Sequence, residues 1–330
     1  MSETTTPLPV AVTGATGFVG RSVVRALLDR GHRVRALARA PQKAAEVLPV
    51  TADGMEVVVG DAREAGALDR LAAGAGAFVN LLGIIRERRG QRFSQIHVEA
   101  TRRGLEAAQK AGARRFVQMS ALGVSDEGRT AYQKTKWEAE RLVVASGLDW
   151  TIFRPGLIHG PGGEFTQMMA AWARGTIAPW KFMPYFARAE TDISVPAGPT
   201  RYVDPVAQPV YVEDVAAYFA DALTSEETIG EIYNLVGPER LTWPKLLRTV
   251  RDTVPGGFPK IHPARIPADV ASMGAMAAEK LGLGAALPFD AGMAVMGAQD
   301  SVADLAKARA DFDIEPRAFT ATLKRYARKM

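Results

Sequence analysis

Three side chains have the types and spacing needed to protonate a carbonyl group: Ser120, Tyr132 and Lys136. Tyr132 and Lys136 stand four positions apart, so on a helix they share one face. A phenol with a pKa near ~10 suits acid–base work at neutral pH poorly, and a neighbouring positive charge lowers that pKa. We therefore predict Tyr132 as the general acid or base, Lys136 as the group that lowers its pKa, and Ser120 as the group that polarises the carbonyl.

The segment from Thr13 to Gly20 reads TGATGFVG and has the spacing of a phosphate-binding turn. Its first glycine permits the tight turn, its second lets the backbone approach a pyrophosphate, and its third lets the next helix pack on the strand. The free N–H groups at the start of that helix would meet the phosphates. An ordinary turn with incidental glycines is the alternative. The predicted dinucleotide contacts here are Gly14, Thr16, Gly17, Phe18, Val19 and Gly20.

The end of the second predicted strand favours NADP(H) over NAD(H). An NAD site usually has an acid about twenty residues beyond the glycines, which binds the ribose 2′-hydroxyl. This chain has Arg39 there, with Lys43 one turn later. A guanidinium pairs with a 2′-phosphate, whereas a carboxylate would repel it. NAD(H) stays the alternative, in which Arg39 only faces solvent.

Other predicted strand ends would line the same nucleotide. Asp61 follows the third strand and could bind the adenine amine, or it could begin the next helix in a capping box with Glu64. The backbone after the fourth strand would line the ribose, and Lys136 would hold the ribose hydroxyls. The remaining predicted cofactor contacts are Ala62, Asn80, Leu81, Leu82, Gly83, Met119, Pro155 and Ile158.

Alternating strands and helices must bring these residues together. Strands are predicted at 8–13, 33–38, 55–59, 77–80, 115–120 and 150–154, with helices at 18–30, from Pro41, and at 61–71, 93–111 and 130–146. This order predicts an α/β fold with a doubly wound parallel Rossmann sheet.

The regular alternation of predicted strands and helices ends after residue 154. Few strands are expected between residues 155 and 209, and the stretch from 240 onward is predicted to be helical. We therefore expect a smaller, mostly helical C-terminal substrate domain. The predicted division gives residues 1–154 and 206–236 to the NAD(P)-binding domain and residues 155–205 and 237–330 to the smaller one.

Composition excludes several classes of protein. The chain has 330 residues, a net charge of +5 and no cysteine, which excludes a disulfide framework and a thiolate nucleophile. Its four histidines are scattered, so no metal site is predicted. No apolar run is long enough for a membrane span, residues 1–9 indicate a flexible arm rather than a secretory signal, and no nucleic-acid motif is present. The expected compartment is the cytoplasm.

Three further features have two interpretations each. His159 follows the sixth strand, where it could reach a substrate or belong to the loop structure, and His97 is better explained as a packing or surface residue than as a ligand. Residues 180–186 read WKFMPYF. This aromatic segment could rest on a bilayer surface or receive a quinone tail, or it could form the wall of an ordinary apolar pocket.

The motifs together resemble the extended or atypical branch of the short-chain dehydrogenase/reductase superfamily. The resemblance is carried by TGATGFVG, by Gly60-Asp61, by YQKTK at 132–136 and by FRPGLIHGPGG at 153–163. Segments at 80–85, 96–101, 114–124, 208–216 and 233–239 are similar to one subfamily. That subfamily contains the NADPH-binding accessory subunit of respiratory complex I and its bacterial relatives, some of them linked to ubiquinone biosynthesis. Residues 176–205 do not match it.

The resemblance implies the Rossmann fold, the nucleotide and two alternative functions. One is an NADP(H)-dependent oxidoreductase that acts on a carbonyl or quinone-type molecule. The other is a nucleotide-binding accessory or assembly subunit of NADH:ubiquinone oxidoreductase, without turnover, because the accessory subunit looks like a reductase and holds its nucleotide structurally. A redox-sensing regulator is a third function class, which no residue specifically supports. Peripheral contact with the inner face of the membrane accompanies the second function.

Overall fold

A computed structural model of the chain describes residues 9–88, 90–191, 198, 200–284 and 287–330. The N-terminal arm expected at residues 1–9 lies outside them except for Pro9. The strands are β1 Val10–Thr13, β2 Val34–Ala38, β3 Met55–Val59, β4 Ala77–Asn80, β5 Arg115–Met119, β6 Asp149–Pro155, β7 Ile158–His159, β8 Phe182–Thr191, β9 Thr200–Val203, β10 Val206–Ala207, β11 Val210–Tyr211, β12 Glu231–Leu235, β13 Leu241–Thr242 and β14 His262–Pro267. The helices are α1 Phe18–Asp29, α2 Pro41–Val47, α3 Ala65–Ala72, α4 Ala100–Lys110, α5 Ala131–Val144, α6 Glu164–Arg174, α7 Val212–Asp221, α8 Trp243–Thr253, α9 Ala268–Lys280, α10 Ala291–Gly297, α11 Ala306–Asp311 and α12 Phe319–Tyr326.

Seven parallel strands form the central sheet, in the order β12-β6-β5-β4-β1-β2-β3. The chain winds in one direction from β1 to β3 and in the other from β4 to β6. In such sheets the nucleotide binds in the crevice at the carboxyl ends of the strands, where the winding reverses. The predicted α/β fold with a doubly wound Rossmann sheet is confirmed, and the crevice lies between β1 and β4.

Helices cover both faces of this sheet. Along β1 the side chains alternate, so that Val12 belongs to one apolar cluster and Ala11 to the other. Leu27 of α1 and Phe219 of α7 are fully buried in the first cluster. Leu68 of α3 lies in the second, together with side chains of α4 and α5. Burial on two faces explains why the strands read as short, continuous apolar runs.

The C-terminal half contains more strand than the sequence predicts. β8 lies between β14 and β9, parallel to the first and antiparallel to the second, in a separate three-stranded sheet. The expectation of few strands between residues 155 and 209 is therefore wrong, and the region from residue 240 onward is mostly helical as expected but also contains β13 and β14. β14 reads HPARIP, and its prolines are tolerated because β14 lies at the edge of the sheet.

Two helix starts also differ from the prediction. α3 begins at Ala65 instead of Asp61, and Glu64 precedes it without a capping side-chain hydrogen bond. The predicted capping box is wrong because the Asp61 carboxylate binds the backbone and guanidinium of Arg63 instead. The helix predicted from Phe93 begins as a wider π-helix, Ser94–Glu99, before α4. His97 lies within this π-helical turn.

No helix among the described residues is both long and apolar enough to cross a membrane.

Candidate active site

The glycine turn lies directly against the chain that leaves β4. Gly14 has a φ of 69°, and a Cβ there would lie 2.9 Å from the carbonyl carbon of Leu81, so a larger residue would collide with backbone. A Cβ on Gly20 would lie 2.1 Å from the Gly14 oxygen. Gly17 is the N-cap residue of α1, where no side chain caps the helix and no acid lies in the first turn. The free N–H groups there fit a pyrophosphate.

The other residues of the turn hold α1 in place. Thr16 and Phe18 are half-buried and Val19 is buried. A Cβ on Gly163 would lie 2.9 Å from the Phe18 ring, so this ring packs closely on the loop that follows β7. The predicted phosphate-binding residues thus form one turn at the mouth of the crevice.

Lys136 connects the ends of two strands. Its Nζ donates a hydrogen bond to the carbonyl oxygen of Leu82, after β4, at 3.3 Å and to that of Met119, at the end of β5, at 3.1 Å. A Cβ on Gly83 would lie 3.2 Å from the same Nζ. Burial lowers the pKa of Lys136 to about 8, although Glu140 acts in the opposite direction. Because Ser120 follows Met119 directly, the amine lies at the strand end that carries the predicted serine.

Ser120 has a hydroxyl group that is free to bind a ligand. The residue is 4% exposed, and its Oγ has no hydrogen-bond partner among the described residues. Its backbone N–H donates to the carbonyl of Phe153 at 2.7 Å, which fixes the position of the residue between β5 and β6. A buried hydroxyl without a partner costs about 1–3 kcal/mol. A substrate carbonyl oxygen would provide the missing partner.

Tyr132 lies one helical turn before Lys136, in the first turn of α5. Its ring packs edge-on against Phe93, with ring centres 5.8 Å apart, and against His97, at 5.3 Å. Burial raises the pKa of Tyr132 to about 12, so in the protein alone the phenol is a neutral proton donor. Tyr132 also lines a cavity of about 920 Å³, together with Arg86, Arg129, Asp290 and other residues. A substrate in this cavity would lie beside the phenol.

His97 holds the loop after β4 against α5. Its Nδ1 lies 2.9 Å from the hydroxyl of Thr135, and the backbone N–H of Ile84 donates to its Nε2 at 3.2 Å. Thr135 in turn donates to the carbonyl of Ala131. Nε2 also lies 3.1 Å from the carbonyl oxygen of Ile84, so the ring is held between Ile84 and Thr135. Burial first, and the charge of Lys136 second, lower the pKa of His97 to about 2, so the ring is neutral.

Asn80 ties together the strands on both sides of the crevice. Its Oδ1 accepts a hydrogen bond from Thr13 at 2.6 Å, and its Nδ2 donates to Thr101 at 3.0 Å and to Gln118 at 2.9 Å. The side chain is buried among these partners. Asn80 therefore fixes β4 against β1 and β5, and the predicted contact with ribose would come from the backbone that follows it, starting at Leu81.

The charged residues that are predicted to bind the nucleotide lie at the other end of the crevice. Arg39 and Lys43 are exposed after β2, and neither forms a salt bridge with another described residue. Asp61, after β3, is held by Arg63 through both carboxylate oxygens. These hydrogen bonds, more than the nearby charge of Arg39, hold the pKa of Asp61 below its usual range. Ala62 is buried beside it.

The segment after β6 places the last predicted contacts. Pro155 is buried and accepts a hydrogen bond from the backbone of Leu122 at 2.9 Å, while Ile158 is half-buried and pairs with Val210 of β11. His159 is 1% exposed, and its Nδ1 lies 3.0 Å from the Tyr326 hydroxyl. His159 thus packs against the C-terminal helix α12, as the loop interpretation expects.

Two curated relatives match the chain over about half of their length. Ceramide reductase from Caulobacter vibrioides is 39% identical over 52% of this chain and 53% of that protein. NADH dehydrogenase (ubiquinone) 1 alpha subcomplex subunit 9, mitochondrial, from Arabidopsis thaliana is 29% identical over 74% of this chain and 57% of that protein. A family model described as NAD(P)H-binding matches residues 14–171.

A third relative is matched over more of its length. It is the (4-alkanoyl-5-oxo-2,5-dihydrofuran-3-yl)methyl phosphate reductase of Streptomyces griseus, 31% identical over 71% of this chain and 69% of that protein. The chain belongs to the atypical short-chain dehydrogenase/reductase superfamily. Epimerase Mth375 from Methanothermobacter thermautotrophicus shares the fold of this superfamily member, with a TM-score of 0.73 over 98% of this chain and 91% of that one at 18% identity. The protein is thus a nicotinamide dinucleotide-binding member of an oxidoreductase superfamily.

The contacts of two residues at this site were not predicted from the sequence. His97 was expected to be a packing or surface residue, and it does pack, being 1% exposed against Tyr132 and the loop after β4. Arg86 donates hydrogen bonds to the carbonyls of Gly284, at 2.5 Å, and Leu287, at 2.7 Å. A histidine within a long helix gives no local signal of such a contact. The partners of Arg86 lie about two hundred positions away, beyond the reach of any local pattern.

Proposed function

We propose that the protein is an NADPH-dependent reductase that transfers a hydride to a substrate carbonyl group. The observation that supports this best is the bonding of Lys136 to the carbonyls of Leu82 and Met119. These bonds hold α5, which carries Tyr132, against the ends of β4 and β5, and Ser120 with its unpaired hydroxyl follows β5 directly. Two of the relatives are named as reductases. Bound NADPH would supply the hydride.

Each of the three residues has a separate role in this proposal. The Ser120 hydroxyl donates a hydrogen bond to the substrate carbonyl and polarises it. Tyr132 gives its proton to the same oxygen as the charge on that oxygen develops. Lys136 binds the ribose hydroxyls in this proposal, and its positive charge would favour the ionised form of Tyr132, whose pKa burial raises to about 12 in the protein alone. The pKa of about 8 keeps Lys136 mostly protonated at neutral pH.

The assignment of NADPH rests on Arg39 and Lys43, which are exposed where a 2′-phosphate would lie. NAD(H) is the alternative cofactor. The cofactor domain in this proposal comprises residues 1–154 and 206–236. Residues 155–205 and 237–330 form the substrate domain in this proposal, which supplies Asp290 and one side of α10, with Val295 and Met296, to the cavity beside Tyr132.

Replacement of the phenol tests the proposal. Tyr132→Phe removes the proton donor and keeps the ring, so we expect kcat with NADPH and a panel of carbonyl and quinone substrates to fall about 10²–10⁴-fold. The affinity for NADPH, measured by cofactor fluorescence, should stay within about twofold. Tyr202→Phe is the matched control, because Tyr202 lies in β9 and lines none of the described cavities near Tyr132. Turnover by Tyr132→Phe at the wild-type rate would contradict the assignment.

A second candidate function is a nucleotide-binding accessory or assembly subunit of NADH:ubiquinone oxidoreductase, without turnover. Relatives from Arabidopsis thaliana, Dictyostelium discoideum and Rattus norvegicus carry the name of such a subunit and match 74%, 75% and 69% of this chain. In this function the protein is cytoplasmic and contacts the inner face of the membrane through its aromatic segment. The raised pKa of Tyr132 also agrees with a phenol that is not used in catalysis.

Native co-fractionation distinguishes the two functions. Membranes of the source organism are gently solubilised and separated by size, and the protein is followed beside NADH:quinone activity. Co-migration with the large activity supports the accessory function. Migration as a free monomer or dimer supports the reductase, for which the substrate panel is then decisive.

A further inference from the structure

A second cavity lies beyond the one that contains Tyr132. It has a volume of about 350 Å³ and is enclosed by α6, β8, the start of α8 and the segment that leads into α10. Phe165 and Trp243 meet edge-on in its wall, with ring centres 5.7 Å apart, and Phe186 and Phe289 do so at 4.9 Å. Almost all of the surface that it presents is carbon or sulfur.

The buried polar groups in this wall are already used within the protein. The indole N–H of Trp172 donates to the carbonyl of Ala178 at 2.9 Å. The hydroxyl of Tyr185 donates to Asp204 at 2.9 Å. Both side chains are 7% exposed. A ligand with polar groups would therefore lose its bonds to water and find few partners in the cavity.

One short helix separates this cavity from the candidate active site. On α10, Gly292, Val295 and Met296 line the cavity of Tyr132, whereas Met293 and Gly297 line the apolar one. The first cavity has arginine and carboxylate side chains in its wall and the second has none. The two cavities, on opposite sides of one helix, would therefore bind ligands of different polarity.

The shape of the wall and the volume restrict the ligand. If each heavy atom takes roughly 30 Å³, the share of one water molecule in the liquid, the cavity holds about a dozen heavy atoms. Phe182 is 36% exposed and lines the cavity near the exposed Trp180, so an opening reaches solvent at the aromatic segment. Methionines at 168 and 293 let the wall adapt to a flexible occupant.

We propose that this cavity binds one unbranched aliphatic chain of about ten to twelve carbons, such as the acyl chain of a lipid-like molecule. The site is separate from the proposed hydride transfer and requires neither turnover nor bound nucleotide. The entrance of the cavity is formed by part of the aromatic segment. The sequence predicted that this segment would either contact a membrane or form a pocket wall.

Tryptophan fluorescence tests the proposal directly, because Trp172 and Trp243 form part of the wall. Bromine quenches indole fluorescence at short range, so a terminally brominated decanoate should quench wild-type protein in a saturable way below its micelle concentration. Plain decanoate should reverse the quenching. The double variant Trp172→Phe/Trp243→Phe should lose most of the quenching, each single variant should lose part of it, and Trp180→Phe should keep it.

A filled cavity provides the second measurement. Met293→Trp places a larger side chain inside the cavity, and we expect decanoate affinity, measured by calorimetry, to fall at least about tenfold, because several methylenes lose their burial. Met273→Trp is the matched control, since Met273 is 66% exposed on α9 and lines neither cavity. Unchanged NADPH binding by both variants shows that they fold. Three results would overturn the proposal. The wild type could show no saturable quenching, the two variants could bind decanoate equally, or the quenching could depend on Trp180.

Discussion

Arg39 is the residue whose charge would distinguish the two cofactors. It is exposed after β2, near enough to Asp61 to contribute to the low pKa of that carboxyl group. Arg63 already binds both oxygens of Asp61, so Asp61 does not require Arg39 as an ion-pair partner. A 2′-phosphate would give the Arg39 guanidinium a partner of its own.

Removal of this guanidinium should change cofactor selectivity. For Arg39→Ala we expect the Kd of NADPH to rise about 10- to 100-fold, which corresponds to the loss of one or two charge-assisted hydrogen bonds, and the Kd of NADH to rise about threefold or less. Titration of both cofactors by fluorescence measures the difference. Arg33→Ala is the control, because Arg33 is exposed before the start of β2, at the opposite edge of the sheet. An equal loss of affinity for both cofactors would show that Arg39 does not bind the 2′-phosphate.

His97 gives the protein a specific sensitivity to acid. Its pKa is about 2 in the folded protein and 6.5 in the unfolded chain, because burial and Lys136 oppose its charge. Below pH 6.5 the unfolded chain therefore binds a proton that the folded protein does not, and folding loses stability as the pH falls.

Replacement of His97 should make the pH dependence of stability shallower. For His97→Gln we expect the decrease in unfolding free energy between pH 7 and pH 5 to be smaller than in the wild type by about 2 kcal/mol. Urea unfolding at a series of pH values measures it. His262→Gln is the control, since His262 is exposed. The same slope for His97→Gln and the wild type would mean that His97 is protonated in the folded state.

At the scale of elements, the first turn of α5 determines where the phenol lies. Thr130 accepts a hydrogen bond from the backbone of Gln133 at 3.2 Å, and the Gln133 side chain accepts one from the backbone of Thr130 at 3.2 Å. This capping box fixes the start of the helix two residues before Tyr132. The stability of the helix start and the position of the proposed proton donor are therefore coupled.

Loss of the cap should affect stability and turnover together. Thr130→Ala should reduce the unfolding free energy by about 1 kcal/mol. It should also lower kcat at a temperature where the protein is still folded, because the first turn loosens. Thr130→Ser keeps the hydroxyl and should behave as the wild type in urea unfolding and in steady-state kinetics. An alanine variant that matches the serine variant in both measurements would refute the coupling.

The elements of the Rossmann sheet were predictable because each is specified locally. The glycine turn, the buried apolar strands and the helix with Tyr132 and Lys136 all carry their signals within a few residues. Asp61 was harder to place, since the competition between a helix cap and an ion pair with Arg63 depends on geometry. β14 was not predicted because its two prolines are unfavourable in a strand. Its pairing partner, β8, also lies about eighty positions earlier in the chain. The bonds of Lys136 to two strand ends likewise appear only once the sheet has formed.

At the scale of the whole molecule, Arg86 links the nucleotide crevice to the C-terminal segment. It extends from the loop after β4 to the carbonyls of Gly284 and Leu287, just before α10. Because α10 forms a wall of both cavities, this contact holds that wall against the loop after β4.

Loss of this link should loosen one region only. For Arg86→Met we expect the backbone amides of α10 to exchange hydrogen about tenfold faster, as two hydrogen bonds from a charged group are lost, while the central strands keep their protection. Hydrogen–deuterium exchange with mass spectrometry resolves the two regions. Arg88→Met is the control, because Arg88 is exposed and lines the same cavity. Uniform or unchanged exchange in Arg86→Met would contradict the linking role.

The position of β12 at the edge of the sheet has a consequence for synthesis. β6 pairs with β5 on one side and with β12 on the other, and β12 is made only after residue 230. On the ribosome, β1 to β6 can assemble while the second edge of β6 is still unpaired, and at 5–20 residues per second this interval lasts roughly 4–16 s. An open apolar edge is a template for pairing with other chains. We therefore expect chaperones to protect the nascent chain at β6, and a chain that stalls before β12 to aggregate.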